Sequence, residues 1–156
     1  MRVHLCAVGR LKTGPERALI DDYARRFDRT GRSMGLGPLT ITEVEDRKGG
    51  GMAAESALLT RAVPSGARLC AMDERGAMLG SVEFADKLAG WRDGGCQDLA
   101  FVVGGADGLD PSVREAADFS LSLGKMVWPH MLARVMLTEQ LYRAASILAG
   151  APYHRV

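Results

Sequence analysis

Leu99-Ala100-Phe101-Val102-Val103-Gly104-Gly105-Ala106-Asp107-Gly108 is a five-residue apolar run that breaks abruptly into glycines. Five consecutive apolar residues are too few for a helix and too uniformly apolar for a half-exposed strand. The run reads as a strand buried on both faces, the signature of a parallel sheet covered by helices. Asp110-Pro111 follows the glycines and predicts a short helix to about Asp118, with aspartate as cap and proline in the first turn.

The same alternation extends in both directions. Upstream, Val3–Val8 predicts a buried strand and Glu16–Arg29 a helix whose core face is Leu19, Ile20, Tyr23, Ala24 and Phe27. Leu39–Val44 alternates apolar and polar residues, as a strand nearer the sheet edge does. Arg47-Lys48-Gly49-Gly50-Gly51 reads as a loop, Met52–Val63 as a helix, and Ala67–Met72 as a buried strand ending at the polar turn Asp73–Gly76. Ser81 is placed to cap a helix reaching about Trp91. Downstream, Ser120–Trp128 predicts a less regular extended segment and Met131–Ala149 the last helix. Strands alternating with helices, with no linker, predict one α/β domain over residues 1–156 with a largely parallel sheet flanked by helices.

Composition narrows the function classes. The 156 residues suit one core, and a net charge of +1 leaves no bulk attraction for nucleic acid, so any such contact needs a local cluster. The N-terminal excess that includes Arg25, Arg26, Arg29 and Arg32 reads first as a solvated helix face. Three cysteines (6, 70 and 96) without Cys-x-x-Cys spacing suggest reduced core thiols in a cytoplasmic protein. Three scattered histidines give no metal spacing, and no apolar run is long enough to cross a membrane.

Gly104-Gly105-x-x-Gly108 lacks the middle glycine of the dinucleotide fingerprint and the Gly-Lys-Ser/Thr of a phosphate loop. It still lies where open α/β sheets bind ligands, at the carboxyl end of a strand. Leu123-Gly124-Lys125-Met126-Val127-Trp128-Pro129-His130 enters the last helix through a proline, setting His130 in the first turn beside the positive helix end, which disfavours its protonation. Thirteen of the nineteen residues of Met131–Ala149 are Ala, Val, Leu, Ile, Met or Tyr, a wider apolar surface than one core contact needs. That width predicts a second chain against it. Glu139 and Arg143 are spaced as an i,i+4 pair, and the chain closes on Tyr153-His154-Arg155, an aromatic, an imidazole and a guanidinium in succession.

Taken together, Phe101–Gly108, Leu121-Ser122-Leu123, Pro129-His130, Leu141-Tyr142-Arg143-Ala144 and Tyr153-His154-Arg155 resemble the RlmH family of the SPOUT superfamily, as do Ala7-Val8-Gly9 and Tyr23-x-x-Arg26-Phe27. The likeness spans the whole chain. It implies a C-terminal trefoil knot, a homodimer through the last helices, and S-adenosylmethionine against Met72, Gly104 and the segment Leu123, Gly124, Lys125, Met126, Val127 and Trp128. It implies methylation at N3 of a pseudouridine in 23S rRNA of the assembled ribosome, with no metal and no membrane involved. Ala77 and Gly124 depart from the lysine and serine that relatives often carry there. For the imide proton the expected base is His154; Arg143 is expected to neutralise the imide anion or hold a phosphate, and Tyr153 to stack on a base. The tail is expected to reach over the partner's cofactor pocket. Two other classes stay open: a Rossmann-like small-molecule enzyme and a non-catalytic RNA- or ribosome-binding module.

Overall fold

The computed structural model describes residues 1–155; Val156, the last residue of the tail, lies outside the described residues. Five strands and five α-helices alternate: β1 Arg2–Val8, α1 Pro15–Gly31, β2 Leu39–Val44, α2 Gly51–Ala62, β3 Arg68–Met78, α3 Ser81–Asp93, β4 Asp98–Val103, α4 Pro111–Ala116, β5 Phe119–Ser122 and α5 His130–Leu148. The strands form one parallel sheet in the order β2-β1-β4-β3-β5. All carboxyl ends therefore point the same way, and the loops leaving them share one rim.

Side-chain alternation along the central strands builds a core on each face. Val3, Leu5 and Ala7 of β1 and Leu99, Phe101 and Val103 of β4 pack with Phe27 of α1, Phe84 and Leu88 of α3, and Leu137, Leu141 and Ala144 of α5. Cys6, Val8, Ala71 and Val102 face the other way, against Leu59 of α2 and Val113 of α4. Burial pushes the Cys6 thiol up to about 11 and the Cys70 thiol to about 12, so both stay protonated core groups.

Four expectations are corrected. β3 does not end at Met72: residues 73–76 bulge out, and Ala77 and Met78 return to pair with Leu121 and Ser122. Gly76 permits that return, because a Cβ there would sit 2.6 Å from the Ser120 backbone. The strand read as Ser120–Trp128 is only Phe119–Ser122, and residues 123–129 form a loop. The cap of α3 is Gly80, whose N–H donates to the Glu83 carboxylate at 2.6 Å, while Ser81 turns its hydroxyl to Gln140 at 2.8 Å. Leu19, read as core, is 46 % exposed.

Candidate active site

The rim at the carboxyl ends of β3, β4 and β5 encloses a pocket of about 690 Å³. Its floor comes from Met72, Val103 and Leu121. One wall is the glycine loop Gly104–Gly108, and the other is Leu123, Gly124, Met126, Val127 and Trp128 with His130 and Ala133 of α5. Seven of the eight expected cofactor residues thus line one space, and the eighth, Lys125, does not. Asp73, Glu74 and Arg75 of the β3 excursion also line it, and with Asp107 of the glycine loop they set three carboxylates against one guanidinium. Both loops that the sequence places at carboxyl ends of strands, the turn after Met72 and the glycine cluster after Val103, thus border the pocket, although no role for their individual charged residues follows from the sequence.

Local chemistry explains the walls. A Cβ on Gly104 would lie 2.4 Å from the Gly108 carbonyl, so the loop closes on itself only with glycine at that position. The reason for Gly104 is therefore already complete in the loop backbone. Ser122 Oγ donates to the Gly124 carbonyl at 2.9 Å and accepts its N–H at 3.2 Å, turning the chain out of β5. Asp73 accepts the Arg75 N–H at 2.8 Å and faces Arg114 Nε at 3.7 Å, which pins the β3 excursion beside the pocket. Met126 and Val127 are 71 % and 80 % exposed, a large apolar surface for one loop to leave in water. The His130 imidazole is held below its ordinary range, first by burial and then by the Arg134 charge.

The other three expected residues form a separate cluster. Glu139 Oε1 accepts from Arg143 Nε at 3.0 Å and Nη2 at 2.5 Å, and from the Tyr153 hydroxyl at 2.9 Å. The Tyr153 ring lies 4.5 Å from that of Tyr142, with Arg143 over it at 4.8 Å. The tail is folded back on its own helix and is not frayed. Burial and hydrogen bonding to Tyr23 and Glu139 push the Tyr153 phenol far up, so it is a donor and not a base. Arg143 Nη1 meets His154 Nδ1 at 3.3 Å. A guanidinium only donates, so Nδ1 accepts and the ring proton sits on Nε2. Arg143 lies thirteen residues beyond His130 on α5, about 20 Å along the axis at 1.5 Å per residue. One chain does not bring this cluster to the pocket.

The cluster instead borders a second, more apolar groove of about 550 Å³, lined by Leu19, Tyr23, Met78, Val135, Met136 and Glu139 among others. Among the described residues no group of three His, Cys, Asp or Glu converges as a metal site, and no helix is long and apolar enough to cross a membrane.

Residues 1–154 match a family model described as "Predicted SPOUT methyltransferase". The chain is 69 % identical to a protein of Ruegeria pomeroyi and 69 % identical to one of Dinoroseobacter shibae, in both cases over the whole of each chain; both relatives carry the name "Ribosomal RNA large subunit methyltransferase H". The fold is similar to that of a probable methylase family protein from Haemophilus influenzae, at a TM-score of 0.51 and 13 % identity over 99 % of this chain and 70 % of that one. With a family model matched over residues 1–154 and relatives of this identity over their full length, the chain belongs to the SPOUT methyltransferase family.

Proposed function

We propose that the protein is an S-adenosylmethionine-dependent methyltransferase acting at N3 of a pseudouridine in 23S rRNA of the assembled cytoplasmic ribosome, as a homodimer with a C-terminal trefoil knot. The observation that carries this reading is the pocket at the carboxyl ends of β3, β4 and β5, which gathers seven of the eight residues expected at the cofactor. Its volume suits a ligand of nucleoside-cofactor size. Its excess of carboxylates suits a ligand bearing a sulfonium charge. When bound, S-adenosylmethionine supplies an electrophilic methyl group.

The chain's own residues do the remainder. Met72, Gly104 and residues 123–128 hold and orient the cofactor, and Met126, Val127 and Trp128 exclude water once covered. The acceptor imide must lose its proton to become nucleophilic. His154 takes that proton after its Nδ1 is released from Arg143, and the freed guanidinium then faces the imide anion or a phosphate. Tyr153, already stacked on Tyr142, offers a face to a base. Because tail and pocket lie far apart in one chain, each tail serves the partner's pocket.

The test mixes two inactive proteins, one lacking residues 153–156 and one carrying Gly104→Val, with tritium-labelled S-adenosylmethionine and ribosomes lacking the modification. Label returning to large-subunit RNA when heterodimers form is the expected result. A dead mixture with heterodimers present overturns the shared site, and an inactive wild type overturns the methyl-transfer reading itself.

A further inference from the structure

Arg134 is the largest fully buried side chain among the described residues, only 1 % exposed, in the second turn of an apolar helix. One of its nitrogens, Nη2, donates to the carbonyl of Val8, the last residue of β1. Nε and Nη1 find no hydrogen-bond partner among the described residues. Its counter-charge, Glu43 of β2, stands 3.9 Å away and is itself shared with Arg17 of α1 at 3.1 Å and with the Leu11 N–H at 3.2 Å. Burying a guanidinium so thinly partnered is expensive, and an apolar residue of similar size would fill the space more stably. A stability role does not explain it.

Its position does. One helical turn earlier on the same face lies His130, which lines the pocket. Both approach Gly9: a Cβ built there would be 3.5 Å from Arg134 Nη2 and 3.9 Å from His130 Nε2. The end of β1, the buried cation and the pocket imidazole are therefore packed as one unit. We propose that Arg134 is a positioning residue for His130, and that His130 is the group on the α5 wall of the pocket that hydrogen-bonds the methyl-acceptor base.

The inference rests on the methyl-transfer reading above. As an imide loses its proton, charge collects on its carbonyl oxygens. A neutral imidazole N–H at a helix N-terminus is a donor suited to that charge. An imidazolium there would instead oppose a neighbouring sulfonium. Asp73, Glu74, Asp107 and Arg75 line the same pocket as His130. Behind it, Arg134 opposes protonation, moderated by Glu43, which Arg17 in turn holds. Arg134 is the closest of these charges on the ring's own helix, and burial acts in the same sense.

The experiment uses the full chain with Arg134→Met, Arg134→Lys and His130→Ala. The three histidines are followed by NMR titration, with His130→Ala assigning its signal. Methyl transfer to ribosomes is measured relative to wild type at about pH 8 and about pH 6. In Arg134→Met the His130 midpoint should rise by about half a pH unit or more, and relative activity should fall about two- to threefold further at the lower pH. Arg134→Lys should restore most of both. His130→Ala should lower kcat about tenfold or more while leaving the KM for S-adenosylmethionine nearly unchanged. An unmoved His130 midpoint in Arg134→Met, or an unchanged kcat in His130→Ala, overturns the inference. Should Arg134→Met not fold, His130→Ala decides alone. A wild type that titrates as described yet methylates nothing refutes the methyl-transfer reading and leaves only the Arg134–His130 coupling standing.

Discussion

Replacing Glu139 by alanine should detach the tail without unfolding the protein. Three donors converge on Glu139 Oε1: two nitrogens of Arg143 and the Tyr153 hydroxyl. The Arg143–Glu139 ion pair lies within α5 and persists whether the tail is docked or open, so it does not enter the docking equilibrium. The bond that ties tail to helix is that of the Tyr153 phenol to the partly exposed carboxylate, about 1 kcal/mol after a discount for screening. That is a factor of about 5 in a docking equilibrium. Because the affected segment is terminal, the loss should appear as local opening before global unfolding. Hydrogen exchange of a C-terminal peptide containing Tyr153 and His154 should therefore speed up by about fivefold, while peptides from β1 and β4 keep their protection. Glu139→Gln, which retains an acceptor without the charge, should fall between. Unchanged exchange in the alanine variant would refute the idea that this carboxylate anchors the tail.

Other consequences are separable. Asp98 is held down to about 2, first by its hydrogen bond to Arg2 and then by His4. A depressed carboxylate stabilises above its unfolded value of about 4 and loses that contribution as pH falls through its folded value. Urea midpoints of wild type and Asp98→Asn should therefore differ at neutral pH and converge as pH falls toward about 2. Gly104→Ala should lower both the melting temperature and S-adenosylmethionine affinity by calorimetry, because its Cβ would sit 2.4 Å from the Gly108 carbonyl; lost affinity with an unchanged melting temperature would contradict the loop-closure explanation. The proposed dimer is best tested at Leu132, which is 40 % exposed, since Leu141 lies wholly in the chain's own core. Leu132→Glu should give folded monomers by light scattering, and an unaffected dimer would move the interface elsewhere.

The alternation of strands and helices was legible because each central strand is a short apolar run closed by glycine or a polar turn, as at Val8-Gly9 and Val103-Gly104. The sheet order was not legible, since pairing depends on contacts between segments as distant as β1 and β4. For the same reason the β3 excursion looked like a strand end: only Leu121 and Ser122, more than forty residues away, show that Ala77 and Met78 resume the ladder. Met126-Val127-Trp128 imitates a strand because apolar residues in a row carry one signal whether they face a core or a pocket rim. The pocket residues could be gathered from strand ends and glycines, the turn after Met72 that holds Asp73 among them, whereas the burial of Arg134 could not. An arginine on a helix reads as solvated, and only packing shows that it is buried.

The most direct measurement is the mapping of the methylated nucleoside after reaction of the wild-type protein, labelled S-adenosylmethionine and ribosomes lacking the modification. Nuclease digestion and mass spectrometry should find one methyl group per large-subunit RNA, on N3 of a pseudouridine. A methyl on a ribose, on an unmodified uridine in preference to pseudouridine, or on small-subunit RNA would contradict the assignment.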